Sequence, residues 1–297
     1  MKLRTFDAGV SIRYADYGGE GPPIVLVHGL GGLHLNWMRI APELVPFGRV
    51  LAVDLPGFGA SSPLPRRTSV PNLADALIRF LDGVTEGPLT LVGNSLGAVL
   101  SMLVAARRPD HVRRLMLFSP AVPHAYFEPF DLRAFFTMGA AMLPFLGPQS
   151  VKGRPLRLGP ERLVKQMMGF MTHDRRRIPR DVLDAHVEEA RARLERPWVG
   201  TAFSDALRSL SWVLMRRASY VSMVRAVHVP TLVFAGERDR FVRVRSIRNA
   251  CSWNPRFELK TWPDVGHVPQ LEVPERVVPE IARFFADNPI ETGAAAA

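Results

Sequence analysis

With 297 residues, 47% of them hydrophobic and 22% charged, the chain has apolar material for one large α/β domain or two ordinary ones, which excludes an intrinsically disordered segment. Lys and Arg outnumber Asp and Glu by 38 to 28, a formal net charge of +10 with much of the surplus between Lys152 and Arg217; such a surface keeps a protein dispersed and suits an anionic membrane face. The single cysteine, Cys251, excludes an internal disulfide, and the first residues alternate without the apolar run of a secretory leader, so a reducing, cytoplasmic setting is expected.

In chain order, Leu3 to Phe6 and Val10 to Tyr17 read as two short strands joined by a Gly turn, an antiparallel opening. Four continuous apolar runs follow, Ile24 to Val27, Val50 to Val53, Leu89 to Val92 and Leu115 to Phe118, each of the kind that a strand buried on both faces requires. Between them lie the helical patterns "NWMRIAPELV", "VPNLADALIRFLDGV" and "LGAVLSMLVAARRP". Strand alternating with helix predicts crossover units and a mainly parallel sheet.

After Pro120 the alternation stops. From Ala121 to about Arg225 only helix-like blocks occur, "DLRAFFTMGAAMLPFLG", "PERLVKQMMGFMTH", "PRDVLDAHVEEARARLE" and "AFSDALRSLSWVLMRRASYVSMV". A buried-strand run resumes at Thr231 to Ala235, followed by a helix near Arg245 to Ser252, a strand near Phe257 to Trp262 and a last helix from Pro274 to Ala286. The expected organisation is a core of residues 1–120 and 226–290, an all-helical cap insertion of residues 121–225, and a disordered tail of residues 291–297.

The stretch "LTLVGNSLGAVLSML" sets Ser95 between Gly93 and Gly97, where an apolar strand gives way to a helix. Two flanking glycines allow a sharp strand-to-helix turn, because side chains there would strike neighbouring segments. The turn projects Ser95 from the carboxyl edge of the sheet, at a helix N-terminus whose free amides favour developing negative charge. A serine hydroxyl is a weak nucleophile until a base takes its proton, and that base needs a carboxylate to hold its tautomer. "LVFAGERDRFV" supplies Asp239 just past one strand, and "WPDVGHVPQLEVPE" supplies His267 just past another. Glu237 is a rival acid, and Arg238 and Arg240 are alternative ion-pair partners for Asp239. The histidines at 111, 124, 173, 186 and 228 lack a strand-end setting.

The order Ser, Asp, His, with "HGLGG" at His28 to Gly32, "DLPGFGAS" at Asp54 to Ser61, "GNSLG" at Gly93 to Gly97, "GERDRFV" at Gly236 to Val242 and "GHVPQLEVPE" at Gly266 to Glu275, resembles the α/β-hydrolase superfamily. The resemblance covers both halves of the core, and the helical insertion matches that family's cap by position. It implies a catalytic triad of Ser95, Asp239 and His267, and an oxyanion hole formed by the backbone amides of Leu30 and Leu96, with Gly31 as an alternative to Leu30. Gly29, Gly31, Asn94 and Val268 are expected to border the substrate. His28 is implied to pack beneath the oxyanion loop, and Asp54 reads as a turn former that bonds nearby backbone amides.

A serine at the elbow implies acyl transfer, since an alkyl-enzyme ester would need a carboxylate there. The expected activity is hydrolysis of a carboxylic ester, lactone or thioester, with acyl transfer to an alcohol as a variant. "GNSLG" is also similar to the "GNSxG" of carbon–carbon bond hydrolases of aromatic ring cleavage, but those usually carry Trp after the catalytic His, where this chain has Val268. A non-catalytic ligand-binding protein on the same scaffold is the rival from another class. Met and Phe in "FFTMGAAMLPFLG" and "QMMGFM" suit a lipid-like small-molecule substrate or an ordinary helical core, and Arg175, Arg176 and Arg177 suit anionic membrane or solvent. No metal-ligand spacing, Walker loop or dinucleotide fingerprint occurs, so no cofactor is expected, and without a recognition module the charge alone does not imply nucleic-acid binding.

Overall fold

A computed structural model describes residues 1–124, 139–143 and 145–290. Eight strands form one sheet: β1 (Lys2–Asp7), β2 (Ser11–Gly18), β3 (Ile24–Val27), β4 (Val50–Val53), β5 (Leu89–Asn94), β6 (Val112–Phe118), β7 (Thr231–Gly236) and β8 (Phe257–Trp262), in the order β1-β2-β4-β3-β5-β6-β7-β8. β1 and β2 pair antiparallel, as does β2 with β4, and every pairing from β4 to β8 is parallel. β3 to β7 fall on the apolar runs, and β1, β2 and β8 fall where the other strands are expected; the fold is that of an α/β hydrolase.

The strand order reverses at β3. From β3 the chain steps to β4 on one side and then returns to place β5 on the other, a topological switch point that opens a crevice at the carboxyl ends. The register pairs Val27 with Gly93, Asn94 with Phe118, Phe118 with Phe234 and Gly236 with Trp262. The loops after β3, β5, β7 and β8 therefore leave the sheet on one edge.

Each face of the sheet carries its own core. On one face, α2 (Val70–Val84) turns Leu73, Leu77, Phe80 and Leu81 inward at helical spacing, and Ser69 caps it by accepting from the Asn72 N–H at 3.4 Å. Beside it α3 (Leu96–Arg107) is buried almost all round. On the other face, α11 (Pro274–Asp287), which follows α9 (Val244–Cys251) and the short α10 (Pro269–Glu272), packs Val277, Ile281 and Phe284 against Trp37, Ile40 and the inner strands. The block "NWMRIAPELV" is not one helix but a 3₁₀ turn at His34–Trp37, a single turn α1 (Ala41–Leu44) and a second 3₁₀ turn at Val45–Phe47, because Pro42 and Pro46 each interrupt the ladder.

Between β6 and β7 the described residues form helices and no strand: α4 (Leu146–Leu158), α5 (Pro160–Met171), α6 (Arg180–Arg193), α7 (Val199–Met215) and α8 (Arg217–Arg225). The block 202–224 divides at Arg216, whose ψ of 62° breaks the helix. The predicted helical blocks stop at Gly147 and resume at Pro160, leaving out most of α4, whose Gly147, Pro148, Gly153 and Pro155 oppose helix on propensity alone. Tertiary contact overrides that propensity: a Cβ on Gly147 would overlap the Ala141 carbonyl and one on Gly200 would overlap that of Pro148, so these glycines let the segment cross α7 closely. The block at 131–147 lies largely outside the described residues, as does the expected tail at 291–297. No helix of the described residues is long and apolar enough to cross a membrane.

Candidate active site

Ser95 sits between β5 and α3 at φ 54° and ψ −111°, a left-handed conformation that costs a non-glycine residue about 1–3 kcal/mol. Four hydrogen bonds hold it there: its N–H donates to Phe118 O at 2.9 Å, and its carbonyl accepts from Ala98 at 3.1 Å, Val99 at 3.3 Å and Ala121 at 3.3 Å. The flanking glycines are required by contact. A Cβ on Gly93 would overlap the Gly97 carbonyl, and one on Gly97 would overlap the Val27 carbonyl oxygen and lie 2.5 Å from that of His28. The same close approach brings the loop after β3 to the serine, since a Cβ on Gly29 would stand 3.1 Å from Ser95 Cβ.

His267 and Asp239, 5% and 2% exposed, meet across the β7 and β8 loops with Nδ1 2.7 Å from Oδ2. The other carboxylate oxygen accepts from the N–H groups of Phe241 at 2.7 Å and Val242 at 3.0 Å, which fixes its plane. An ionised carboxylate only accepts, so Nδ1 carries the proton and Nε2 is left as a base. The rival Glu237 is exposed, and its carboxylate takes the Thr261 hydroxyl at 3.5 Å. Arg240 makes no pair with Asp239 but donates to Gly169 O of α5 at 2.9 Å.

Asn94 ties the elbow to the histidine: its Nδ2 donates to Phe118 O at 3.0 Å and to His267 O at 3.3 Å. Among the described residues His267 is thus joined to Asp239 directly and to the elbow through Asn94, while no hydrogen bond links the Ser95 hydroxyl with the imidazole; contacts of this kind often tighten only around substrate. Leu96 is the first residue of α3, so its amide has no intrahelical partner, and Leu30 follows Gly29 beside Ser95. Gly31, at φ 73°, faces Phe203, and its carbonyl accepts from Arg193 of α6 at 2.9 Å. Val268 is fully buried, packed with Val164, Met168, Ile178 and Val182 where the insertion meets the core.

His28 is buried and engaged through both ring nitrogens. Leu55 N–H donates to Nε2 at 2.9 Å and Nδ1 donates to Gly29 O at 2.7 Å, an arrangement that needs the neutral ring; burial accordingly lowers its pKa to about 4. Asp54 is likewise buried, accepting from the His34 N–H at 2.7 Å, the His34 ring at 2.9 Å and the Ala60 N–H at 2.9 Å. Both residues brace the loop after β3 from behind. The role of His34 was invisible in sequence, because its partner lies twenty residues away and no motif links the two. Two of the three consecutive arginines are held by carboxylates, Arg176 by Asp174 at 2.9 Å and Arg177 by Asp264 at 2.6 Å. Cys251 is half-buried, and burial pushes its thiol up to about 12, the behaviour of a structural thiol. Among the described residues no group of three or more His, Cys, Asp or Glu is placed to hold a metal ion.

Comparison with known proteins matches residues 24–280 to the model of the alpha/beta hydrolase family. The chain is 29% identical over 281 residues to the dihydrolipoyllysine-residue acetyltransferase component of the acetoin cleaving system of Pseudomonas putida, covering 93% of this chain and 67% of that protein. It is 26% identical over 289 residues to 2-hydroxymuconate semialdehyde hydrolase of Pseudomonas sp. strain CF600, covering 94% and 92%. It is 26% identical over 287 residues to Lipase 1 of Psychrobacter immobilis, covering 92% and 80%.

Proposed function

The chain belongs to the alpha/beta hydrolase family and is a hydrolase, and from that premise we propose that it cleaves carboxylic esters, lactones or thioesters of an apolar, lipid-like substrate through an acyl-enzyme on Ser95. The observation that carries the reading is the buried His267–Asp239 pair, bonded at 2.7 Å and tethered through Asn94 to a strained serine elbow.

In this cycle Ser95 Oγ attacks the substrate carbonyl carbon while His267 Nε2 takes the hydroxyl proton, and Asp239 stabilises the imidazolium that forms. The carbonyl oxygen becomes an oxyanion held by the N–H groups of Leu30 and Leu96. Collapse breaks the bond to the leaving group, which takes the proton from His267. Water then attacks the acyl-enzyme, giving a proton to Nε2, and collapse breaks the bond to Ser95 Oγ, which takes that proton back as the carboxylic acid leaves. Positioned acid–base transfer contributes roughly 10² to 10⁴ in rate, and each oxyanion donor lowers the barrier by about 2.7–4 kcal/mol.

Val268 in place of Trp supports the ester over the carbon–carbon bond, and the relative named Lipase 1 supports an apolar ester. Asn94 and the relative named 2-hydroxymuconate semialdehyde hydrolase support the second reading, cleavage of a carbon–carbon bond in a ring-cleavage product. A panel of p-nitrophenyl esters of graded acyl length, run beside such a product, separates them: turnover of the esters that is abolished in Ser95→Ala carries the first, and efficient turnover of the ring-cleavage product alone overturns it. A wild-type protein left unmarked by a fluorophosphonate probe overturns both in favour of a ligand-binding role. The reading includes a cytoplasmic location and peripheral contact with an anionic bilayer, supported by exposed Leu146, Lys152, Leu156 and Arg157 along α4.

A further inference from the structure

A buried carboxylate outside the proposed cycle joins the insertion to the loop that carries His267. Glu272 ends the short helix α10 (Pro269–Glu272) and is 1% exposed. Its Oε1 accepts from the N–H groups of His173 at 2.9 Å and Asp174 at 2.8 Å, and its Oε2 accepts from Gly266 at 2.8 Å and again from His173 at 3.1 Å. The Arg177 guanidinium stands 3.9 Å away, too far for a hydrogen bond. Three backbone amides therefore hold a carboxylate out of water, an arrangement that costs several kcal/mol unless its lone pairs are met. Joining two parts of the chain that an apolar side chain of the same volume could not join gives that cost a purpose.

The two backbones it bridges are in direct contact. His267 N–H donates to Met171 O at 2.6 Å, and a Cβ on Gly266 would lie 2.5 Å from that same oxygen and 2.8 Å from the His173 nitrogen. Around this seam Val268 and Leu271 pack into the apolar cluster of α5 and α6, and Phe170 meets Phe241 edge-on, whose ring lies 4.9 Å from that of His267. Arg240, beside Asp239, reaches Gly169 O, and Arg177 reaches both the carbonyl and the carboxylate of Asp264. Residues 169–177 of the insertion are thereby fastened to the loops bearing both the acid and the base. Glu272 supplies the polar share of the histidine side of that joint.

We propose that Glu272 is a positioning residue for the reaction: by binding the 173–174 turn of the insertion to Gly266, it sets the backbone from which His267 reaches Ser95, so that the base is oriented only while the insertion is seated. The assignment rests on the serine-hydrolase reading above. Without the carboxylate, the amides of His173, Asp174 and Gly266 lose their acceptor, and the ring remains anchored to Asp239 on a loosened backbone. A misplacement of about 1 Å at this distance from the chemistry is enough to cost roughly 10²-fold in rate.

The test compares wild type, Glu272→Ala and Glu272→Gln by fluorophosphonate labelling of Ser95 across pH 5–9, with amide hydrogen exchange at His173, Asp174 and Gly266. Glu272→Ala is expected to slow labelling about tenfold to a hundredfold, to move the midpoint of its pH profile, and to hasten exchange at all three amides. Glu272→Gln keeps one acceptor oxygen and recovers part of each effect; it carries the test should the alanine variant fail to fold. A merely structural role would lower the melting temperature and leave the labelling rate and pH midpoint of the folded protein unchanged, and that result overturns the proposal. Equal exchange at the three amides in wild type and variants overturns it as well. A wild-type protein that resists the probe overturns the serine-hydrolase reading itself, an outcome distinguishable because it precedes any change at Glu272.

Discussion

The Nδ1 of His267 donates to Oδ2 of Asp239 at 2.7 Å, and the opposite carboxylate oxygen is occupied by the amides of Phe241 and Val242. The carboxylate is thus committed on both sides, and the imidazole can hold only one tautomer while this bond persists.

Asp239→Asn exchanges an acceptor for a group that can present N–H to the ring, favouring the wrong tautomer. The expected fall in kcat on an ester substrate is about 10⁴-fold with a modest change in KM. Steady-state kinetics on a variant shown by circular dichroism to be folded check it; a loss under tenfold would remove Asp239 from the proposed cycle.

Gly97→Ala drives a methyl into the carbonyl oxygens of Val27 and His28, the latter 2.5 Å from a Cβ built there and the former overlapping it. Overpacking of this kind costs about 1–3 kcal/mol, and here it also shifts the loop after β3 against the elbow. Urea melts and fluorophosphonate labelling should therefore fall together. Gly153→Ala, where an added Cβ meets nothing within 4 Å, is the matched control expected to leave labelling unchanged.

His28 gives a pH dependence of stability with a definite sign. Burial lowers its folded pKa to about 4 from the ordinary imidazole value of 6.5, so between those values the unfolded chain binds a proton that the folded one refuses. Its contribution is fully present above about pH 6.5 and is lost as pH falls toward 4, about 3 kcal/mol in all at 1.36 kcal/mol per unit. Denaturant melts at pH 7.0 and 4.5 should show this loss in wild type and a smaller one in His28→Gln. Equal losses would place the effect elsewhere.

The exposed row on α4 predicts binding to vesicles containing anionic phosphatidylglycerol and little to phosphatidylcholine alone, weakening as salt rises. Lys152→Glu with Arg157→Glu should abolish sedimentation with the anionic vesicles while hydrolysis of a soluble p-nitrophenyl ester is unchanged. Binding that survives the double substitution would detach the membrane reading from this helix.

Much of the architecture could be read locally. Val25, Leu51 and Val233 sit in short, uninterrupted apolar runs because their strands are buried on both faces, and burial of that kind leaves a mark in the residues themselves. The Ser95 elbow was equally legible, since its glycines answer steric demands a few residues away. The helix α4 was not, because its prolines and glycines disfavour helix and only the crossing with α7 compensates. Glu272 appeared in sequence only as part of "GHVPQLEVPE"; the amides it binds at His173 and Asp174 lie about a hundred positions upstream and carry no side-chain signature.

By itself, then, the amino-acid order determined the eight strands, the helices with clear apolar periodicity, and the chain order of Ser95, Asp239 and His267, all of which depend on spacing along the backbone. Only the tertiary structure decided which carboxylate meets His267, that His28 is a neutral brace with both nitrogens taken, and that the insertion is fastened to the His267 loop through Glu272. Those outcomes depend on hydrogen bonds between backbone groups brought together by the parallel sheet, and a backbone amide has the same chemistry at nearly every position until folding gives it a partner.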